Sequence, residues 1–268
     1  MFGEKMSVRT YRVIGDGVCA VVVLMFALTL MSKNVLDPFQ RGFFCEDASI
    51  KYPVKPVTTS KWTIFTITFI FPLLLLMTYE IILYYCKHRR FNIQMMYNVY
   101  NQEVVYIFGL CLSLSFNCMI KLMIGRLRPT FYEACGTGID CNSPDNRYVY
   151  LTNFTCSMAS KQRVWELRQS FPSSSSTAVT LAMVYISLFI EAKLGWKGMH
   201  LAKRAIQMLL ISIAIFIAIT KVSDYTNHWS DVLVGMAIGA VSAFFMGFFM
   251  SDMFEPEERP LDSDISLR

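Results

Sequence analysis

Histidine and charged residues are scarce in this chain of 268 residues. It contains three histidines, and 17% of its residues are charged whereas 54% are hydrophobic. The sequence has no internal repeat, no glycine-rich nucleotide loop and no cysteine–histidine cluster with the spacing of a metal site. A soluble domain normally has about 25% charged residues, so the composition argues against one. The missing motifs lead us to expect neither a cofactor nor a metal ion.

Apolar stretches long enough to cross a bilayer separate the clusters of charge. A helix needs about 20 residues to cross a hydrocarbon core of roughly 30 Å. Six stretches meet this requirement, at about 13–31, 62–85, 104–124, 174–191, 205–221 and 232–250. A signal peptide is the alternative for the first stretch, but no small-residue cleavage site stands out after it. The sequence predicts an all-α integral membrane protein with six transmembrane helices in residues 1–252 and a cytosolic tail, residues 253–268.

Six spans place both termini on the same side of the membrane. Basic residues cluster in short segments at the span ends on that side, which favours the cytosol, although the totals on the two sides are similar. A glycosylation sequon at Asn153 and four cysteines fall in the loops of the other side, where disulfides persist. The candidate disulfide cysteines are Cys45, Cys135, Cys141 and Cys156, and their pairing stays open. We expect cytosolic termini, extracellular or lumenal loops, and a plasma or secretory-pathway membrane.

Several residues inside the apolar stretches need a separate explanation. Asp16 and Glu80 lie within a turn or two of predicted cytosolic ends, so we predict that their side chains snorkel to the interface. Gly235 and Gly239 have the small-xxx-small spacing that lets two helices approach closely. The net charge of +5 does not indicate a nucleic-acid partner, because many basic residues lie in membrane-flanking segments.

Polar and charged residues gather at the outer ends of the third, fourth and fifth spans. The third span ends in KLMIGRLRPTF, the fourth begins with SFPSSSSTAV, and the fifth ends in TKVSDYTNHWSDV. These ends emerge on one face, where they would combine two or three cations with a hydroxyl-rich helix N-terminus. That combination binds phosphate. Interfacial anchoring and a simple serine helix cap are the alternatives, although Lys121 lies about two turns deeper than Arg128.

At these residues the chain resembles the lipid phosphate phosphatases, the integral-membrane phosphatidic acid phosphatase group, over nearly its whole length. The family's first motif is Lys, six residues and Arg-Pro, which Lys121, Arg128 and Pro129 match. Its second motif is Pro-Ser-Gly-His, and its third is Ser-Arg, five residues, His, three residues and Asp. The segment QRGFFCEDASIKYP also looks like a family segment. The resemblance implies the family's helical bundle and metal-free hydrolysis of phosphatidic and lysophosphatidic acid at the outer leaflet.

The resemblance also implies a role for each motif residue. The third-motif His attacks phosphorus to form a phosphohistidine, the Asp holds that His in line, and the second-motif His protonates the leaving alkoxide. The Lys, both Arg residues and the second-motif Ser hold the phosphate. Histidine suits both catalytic roles because imidazole titrates near neutral pH.

This chain departs from the family pattern at both histidine positions. Ser175 stands at the general-acid position and Asn227 at the nucleophile position, whereas Asp231 is retained. An amide cannot form a phosphoenzyme, and a serine hydroxyl is too weak an acid to replace imidazolium near pH 7. His228 stands three residues before Asp231, where the motif needs four, so we expect its side chain to point elsewhere. We therefore interpret the chain as a pseudoenzyme.

Phosphate binding is predicted to survive the loss of catalysis. The candidate phosphate ligands are Lys121, Arg128, Ser173, Ser174 and Lys221. Lys221 replaces the motif Arg, and Ser174 adds a side chain where the family has Gly and the backbone approaches phosphate. We expect a regulator that binds phosphorylated lipids, alone or in oligomers with itself or with family members. The alternatives are a residual phosphatase that uses water or His228, and a membrane scaffold without a phosphate site.

Overall fold

Six helices of the computed structural model are long and apolar enough to cross a membrane. They confirm the predicted all-α membrane class. Their candidate spans are Val13–Leu30, Lys61–Cys86, Met95–Ile124, Ser174–Lys193, His200–Ser223 and Trp229–Met250. The structure describes residues 2–32, 36–88, 93–141, 143, 146, 148–194 and 200–254. Apart from residues 253 and 254, the predicted cytosolic tail lies outside the described residues.

The helices differ from the predicted spans mainly at the ends that were predicted to be cytosolic. They are α1 (Phe2–Met31), α2 (Lys61–Phe65), α3 (Phe71–His88), α4 (Ile93–Ile124), α5 (Phe131–Cys135), α6 (Lys161–Leu167), α7 (Ser174–Lys193), α8 (His200–Ser223) and α9 (Trp229–Phe245). A π-helical turn, Thr66–Ile70, joins α2 to α3, another, Met246–Met250, extends α9, and 3₁₀ turns cover Ala48–Ile50 and Asp252–Phe254. Helix α4 starts well before residue 104. The predicted span began there because Asn101, Gln102 and Glu103 lower the hydropathy, but these residues do not break a helix.

Helix α7, which begins in the serine run, is the central helix of the bundle. It packs against α4, α8 and α9, and 72% of its span is buried, a larger share than in the other five spans. Its fully buried side chains include Leu181, Tyr185, Ile186 and Phe189. The N-terminus of α7 is therefore surrounded by neighbouring helices, which place their own outer ends around it.

Close approach of α9 to α7 depends on Gly235 and Gly239, as the small-xxx-small spacing predicts. A β-carbon on Gly235 would lie 2.6 Å from the carbonyl oxygen of Ser173, and one on Gly239 would overlap the carbonyl oxygen of Thr177. Both obstacles are backbone atoms of the facing helix or its N-cap. The prediction that these glycines serve helix packing is confirmed, and the packing brings the start of α9 beside the start of α7.

Replacing Gly239 by Val is expected to destabilise the protein by about 3 kcal/mol, the upper end of the usual cost of overpacking. The reason is that the helix backbone at Thr177 cannot rotate out of the way. Gly15→Val is the matched control, because no atom lies within 4 Å of the place where its β-carbon would be. Thermal unfolding in detergent compares the two variants, and equal midpoints would contradict tight packing of α9 on α7.

The described residues of 36–60 and 125–173 form a cap over one end of the bundle, which we call the outer cap after the side predicted for these loops. Its two-stranded sheet pairs β1 (Phe43–Phe44) with β2 (Tyr150–Leu151) in antiparallel orientation. Disulfides join Cys45 to Cys141 and Cys135 to Cys156, which are the four cysteines singled out in the sequence. Phe43, Phe131 and Leu167 pack in the cap's buried apolar cluster. Asn153 is exposed on this cap.

The cap is attached to the bundle next to the motif residues. The backbone N–H of Arg128 donates to the carbonyl of Leu167 at 2.9 Å, and that of Ser170 donates to the carbonyl of Arg126 at the same distance. These two bonds tie the segment after α4 to the segment before α7. The first-motif and second-motif regions are thus fixed relative to each other by backbone hydrogen bonds.

The snorkelling prediction for Glu80 is wrong. Its residue surface is only 5% exposed, and it lies four residues after Leu76, which is fully buried. Residues spaced by four share a helix face, so Glu80 faces the bundle. Asp16, in contrast to Glu80, is only half-buried. It lines a cavity of about 350 Å³ together with Asn101 and Phe108.

Candidate phosphate-binding site

Three cationic side chains lie near one another at the capped end of the bundle. Lys121, near the end of α4, is 8% exposed, and its Nζ donates to the carbonyl of Gln169 at 2.9 Å. Lys221, near the end of α8, is 5% exposed, and its Nζ donates to Thr59 Oγ1 at 2.6 Å. Arg128 lies near enough to interact electrostatically with both lysines. Like charges in one partly desolvated place indicate a site for an anion.

Arg128 has hydrogen-bonding capacity that the described residues do not use. Its Nε is buried and has no partner among them. Burial lowers the pKa of the Arg128 guanidinium, an effect that nearby Glu166 opposes. An arginine side chain nevertheless stays protonated in proteins. Among the features of this region, the buried and charged donor of Arg128 without an acceptor is the one most typical of a ligand site.

Ser173 is the N-cap of α7. Its Oγ accepts from the backbone N–H of Ser176, and its own N–H donates to the carbonyl of Asp231 at 3.0 Å. The alternative of a serine helix cap is therefore correct for this residue. The same bond to Asp231 joins the start of α7 to the first turn of α9, so capping and site assembly are not mutually exclusive.

Ser174 turns its hydroxyl toward α4. Its Oγ donates to Asn117 Oδ1 at 2.9 Å, and Asn117 Nδ2 donates to Thr177 Oγ1 at 2.7 Å. Asn117 is fully buried. The additional side chain at the family's Gly position is thus engaged between two helices, which leaves the N-terminal N–H groups of α7 unobstructed by that hydroxyl. Ser175, one residue further, is half-buried.

Asp231 is the centre of a buried polar network. Its carboxylate is fully buried and accepts hydrogen bonds from Arg126 Nη1 and from Ser170 Oγ, each at 2.5 Å. It also accepts from the backbone N–H of His228, and His228 Nδ1 lies 3.1 Å from Oδ2. Asn227 does not join this network through its side chain, since its amide donates to the carbonyl of Ser170 at 2.6 Å.

The prediction that His228 points away from Asp231 is wrong. His228 is the N-cap of α9 and has extended backbone dihedrals, φ −73° and ψ 155°. An N-cap side chain folds back over the first helical turn and reaches the third residue of the helix, which here is Asp231. A spacing of three at a helix start therefore brings the pair together. The sequence prediction relied on the family's spacing of four between His and Asp, and it did not consider that His228 could be the N-cap of a helix.

These contacts place the site where four helices meet the outer cap. The sequence pattern that defines the PAP2 superfamily matches residues 102–253. The chain belongs to the PAP2 superfamily. This membership confirms the family resemblance drawn from the three motifs.

The relatives of this PAP2-superfamily chain include named phosphatases. It is 34% identical to a candidate phosphatidate phosphatase of Drosophila melanogaster, in an alignment that covers 84% of this chain and 65% of the fly protein. It is 31% identical to phospholipid phosphatase 1 of Rattus norvegicus, with 97% of this chain and 93% of the rat protein covered. It is 34% identical to phospholipid phosphatase 2 of Homo sapiens, with 93% and 86% covered. No solved structure matches the chain.

The PAP2 match contains the candidate phosphate ligands and Asp231, but other residues of the site were missed by the sequence analysis. Asn117 accepts a hydrogen bond from Ser174, and Ser170 donates one to Asp231. Thr59, in the loop before α2, accepts one from Lys221. Asn117 had a signal, because it is a carboxamide in the middle of an apolar stretch. Ser170 and Thr59 had none, since their importance comes from partners more than 60 positions away.

Proposed function

We propose that this PAP2-superfamily protein binds phosphomonoester lipids at the extracellular or lumenal face of its membrane without hydrolysing them. The observation that carries the proposal is the buried Nε of Arg128, which lacks a partner among the described residues and lies near Lys121 and Lys221. Its named relatives act on phospholipids or phosphatidate, which supports a lipid as the carrier of the phosphate.

The three cations suit a phosphate in number and in position. A phosphomonoester near pH 7 carries about −1.5 to −2 charges, by analogy with phosphorylated side chains. Each charge-assisted hydrogen bond contributes roughly 1.5–3 kcal/mol. Lys221 supplies a point charge where the family has a planar guanidinium, so we expect weaker orientation of the phosphate than in active relatives.

The absence of turnover follows from the two substituted histidine positions. Asn227 cannot act as a nucleophile toward phosphorus, and its amide is already bonded to the carbonyl of Ser170. Ser175 cannot protonate a leaving alkoxide near neutral pH. Asp231, which holds the nucleophile in the family, is engaged here by Arg126, Ser170 and His228. The family's chemistry thus lacks both reacting groups.

Arg128→Ala is expected to weaken the binding of phosphatidic acid by at least about tenfold, since one charge-assisted contact exceeds 1.4 kcal/mol. Binding of the matching diacylglycerol should not change. The measurement is lipid binding to the purified protein in nanodiscs. Arg204→Ala is the matched control, because Arg204 is an exposed arginine of α8 that pairs with Glu191. If the wild type shows no preference for the phosphate lipid, the scaffold alternative replaces this proposal.

A residual phosphatase is the second candidate, and the contact between His228 and Asp231 favours it. This pair repeats the family's Asp–His relation one residue further along the chain. The mechanism would still need a general acid. Phosphate release by the wild-type protein, lost in His228→Gln, would support this candidate against the non-catalytic proposal.

A further inference from the structure

A second polar cavity lies beneath the outer cap, on the side of Asp231 that Arg126 and His228 occupy. Its volume is about 120 Å³. Arg41, Asp47 and Ser49 of the first outer loop line it, together with Arg126 and His228. None of these residues belongs to the set Lys121, Arg128, Ser173, Ser174 and Lys221. The cavity is therefore lined by different side chains from those of the proposed lipid phosphate site.

His228 presents an unused ring nitrogen in this place. Its side chain is only 10% exposed. Nδ1 lies against the Asp231 carboxylate, whereas Nε2 is buried and has no partner among the described residues. A carboxylate partner places the proton on Nδ1. Nε2 then offers a lone pair in neutral imidazole and an N–H donor in imidazolium.

The charges around the cavity allow an anion to enter. Arg126 uses Nη1 for Asp231 Oδ1 and Ser230 Oγ, and it keeps its other guanidinium donors. Arg41 adds a second guanidinium. Asp47 opposes an anion, but one of its oxygens already accepts from the backbone N–H of Ser49. The guanidinium groups of Arg41 and Arg126 therefore offset the carboxylates of Asp47 and Asp231 around the cavity.

We propose that this cavity binds a tetrahedral oxyanion of the phosphate class, with Arg126 and Arg41 as donors and His228 Nε2 as a further hydrogen-bond partner. A volume of about 120 Å³ is large enough for one phosphate group. The anion can come from free phosphate or from a lipid head group that reaches under the cap. Binding supplies His228 Nε2 with the hydrogen-bond partner that it lacks among the described residues.

Nitrogen-15 NMR of histidine-labelled protein in detergent tests the proposal directly. The chain has three histidines, so the His228 signal is assigned by its loss in His228→Gln. If that variant fails to fold, His88→Gln and His200→Gln assign the signal by elimination. Titration with inorganic phosphate is expected to shift the His228 Nε2 resonance progressively, with saturation.

Two variants separate this cavity from the lipid phosphate site. Arg41→Gln is expected to weaken the titration about fivefold, the effect of one exposed charge. Arg128→Ala should leave it unchanged. A parallel titration with short-chain lysophosphatidic acid distinguishes the sources: a response to phosphate alone assigns the free ion, and a response to both also admits lipid head groups. The proposal is overturned if phosphate leaves the His228 resonance in place, or if Arg128→Ala abolishes the shift while Arg41→Gln does not.

Discussion

The combined change Ser174→Gly, Ser175→His, Lys221→Arg and Asn227→His is expected to produce measurable release of phosphate from phosphatidic acid, whereas the wild-type protein releases none above background. The four substitutions restore the family's second and third motifs except at Thr220, which stands where the third motif has Ser. The groups that would hold the phosphate are already near one another, because Arg128 interacts electrostatically with both Lys121 and Lys221. Only the nucleophile, the acid and the planar guanidinium need to be supplied.

The single change Asn227→His should be slower than the combined variant by roughly 10²- to 10⁴-fold, which is the usual contribution of a general acid. The leaving alkoxide would still lack a proton donor at position 175. The new imidazole would also compete with His228, which already contacts Asp231. Appreciable turnover by the single variant would mean that another group acts as the acid. Turnover by the wild type that Lys121→Ala abolishes would contradict the non-catalytic proposal itself.

Ser174→Gly by itself is the folding control for this series. It removes the hydrogen bond between Ser174 and Asn117, whose net contribution is about 1 kcal/mol. The combined variant should therefore unfold at a slightly lower temperature than the wild type. A variant that fails to fold would give no information on catalysis, so thermal unfolding is measured before activity.

Hydropathy and motif spacing predicted the parts of this molecule that depend on nearby residues. The six spans follow from local apolar content, and Gly239 follows from a local spacing. The three cations were located because Lys121 and Arg128 belong to one motif and Lys221 to another. Each of these predictions uses a stretch of sequence no longer than a helix, where the physics of burial and periodicity acts directly.

Contacts between distant segments could not be predicted from one sequence. Thr59 meets Lys221 across 162 positions, and Ser174 meets Asn117 across 57. The pairing of four cysteines allows three connectivities in principle, and the fold of the cap selects one. The position of His228 could have been predicted, because a residue before a helix with an Asp three positions later fits an N-cap.

Asp231→Asn is expected to destabilise the protein by about 3 kcal/mol, which corresponds to a fall of roughly 6–12 °C in the thermal midpoint. Asp231 is fully buried, and its oxygens accept from Arg126, Ser170 and His228. An Asn amide would place N–H donors against other donors and leave Arg126 without its counter-ion. We expect the lower end of the range for a broken buried pair, because the Arg126 side chain is 31% exposed and can be solvated.

Asp37→Asn is the matched control for this change, since Asp37 is exposed on the cap and surface substitutions usually change stability by less than about 0.5 kcal/mol. Thermal unfolding of both variants in detergent provides the comparison. In an active relative, the family resemblance gives this Asp a role in turnover. In this chain the same carboxylate joins α9 to the segments before α7 and after α4, so its loss should appear as lost stability. Asp231→Asn that unfolds at the wild-type temperature would show that the network around it does not stabilise the bundle.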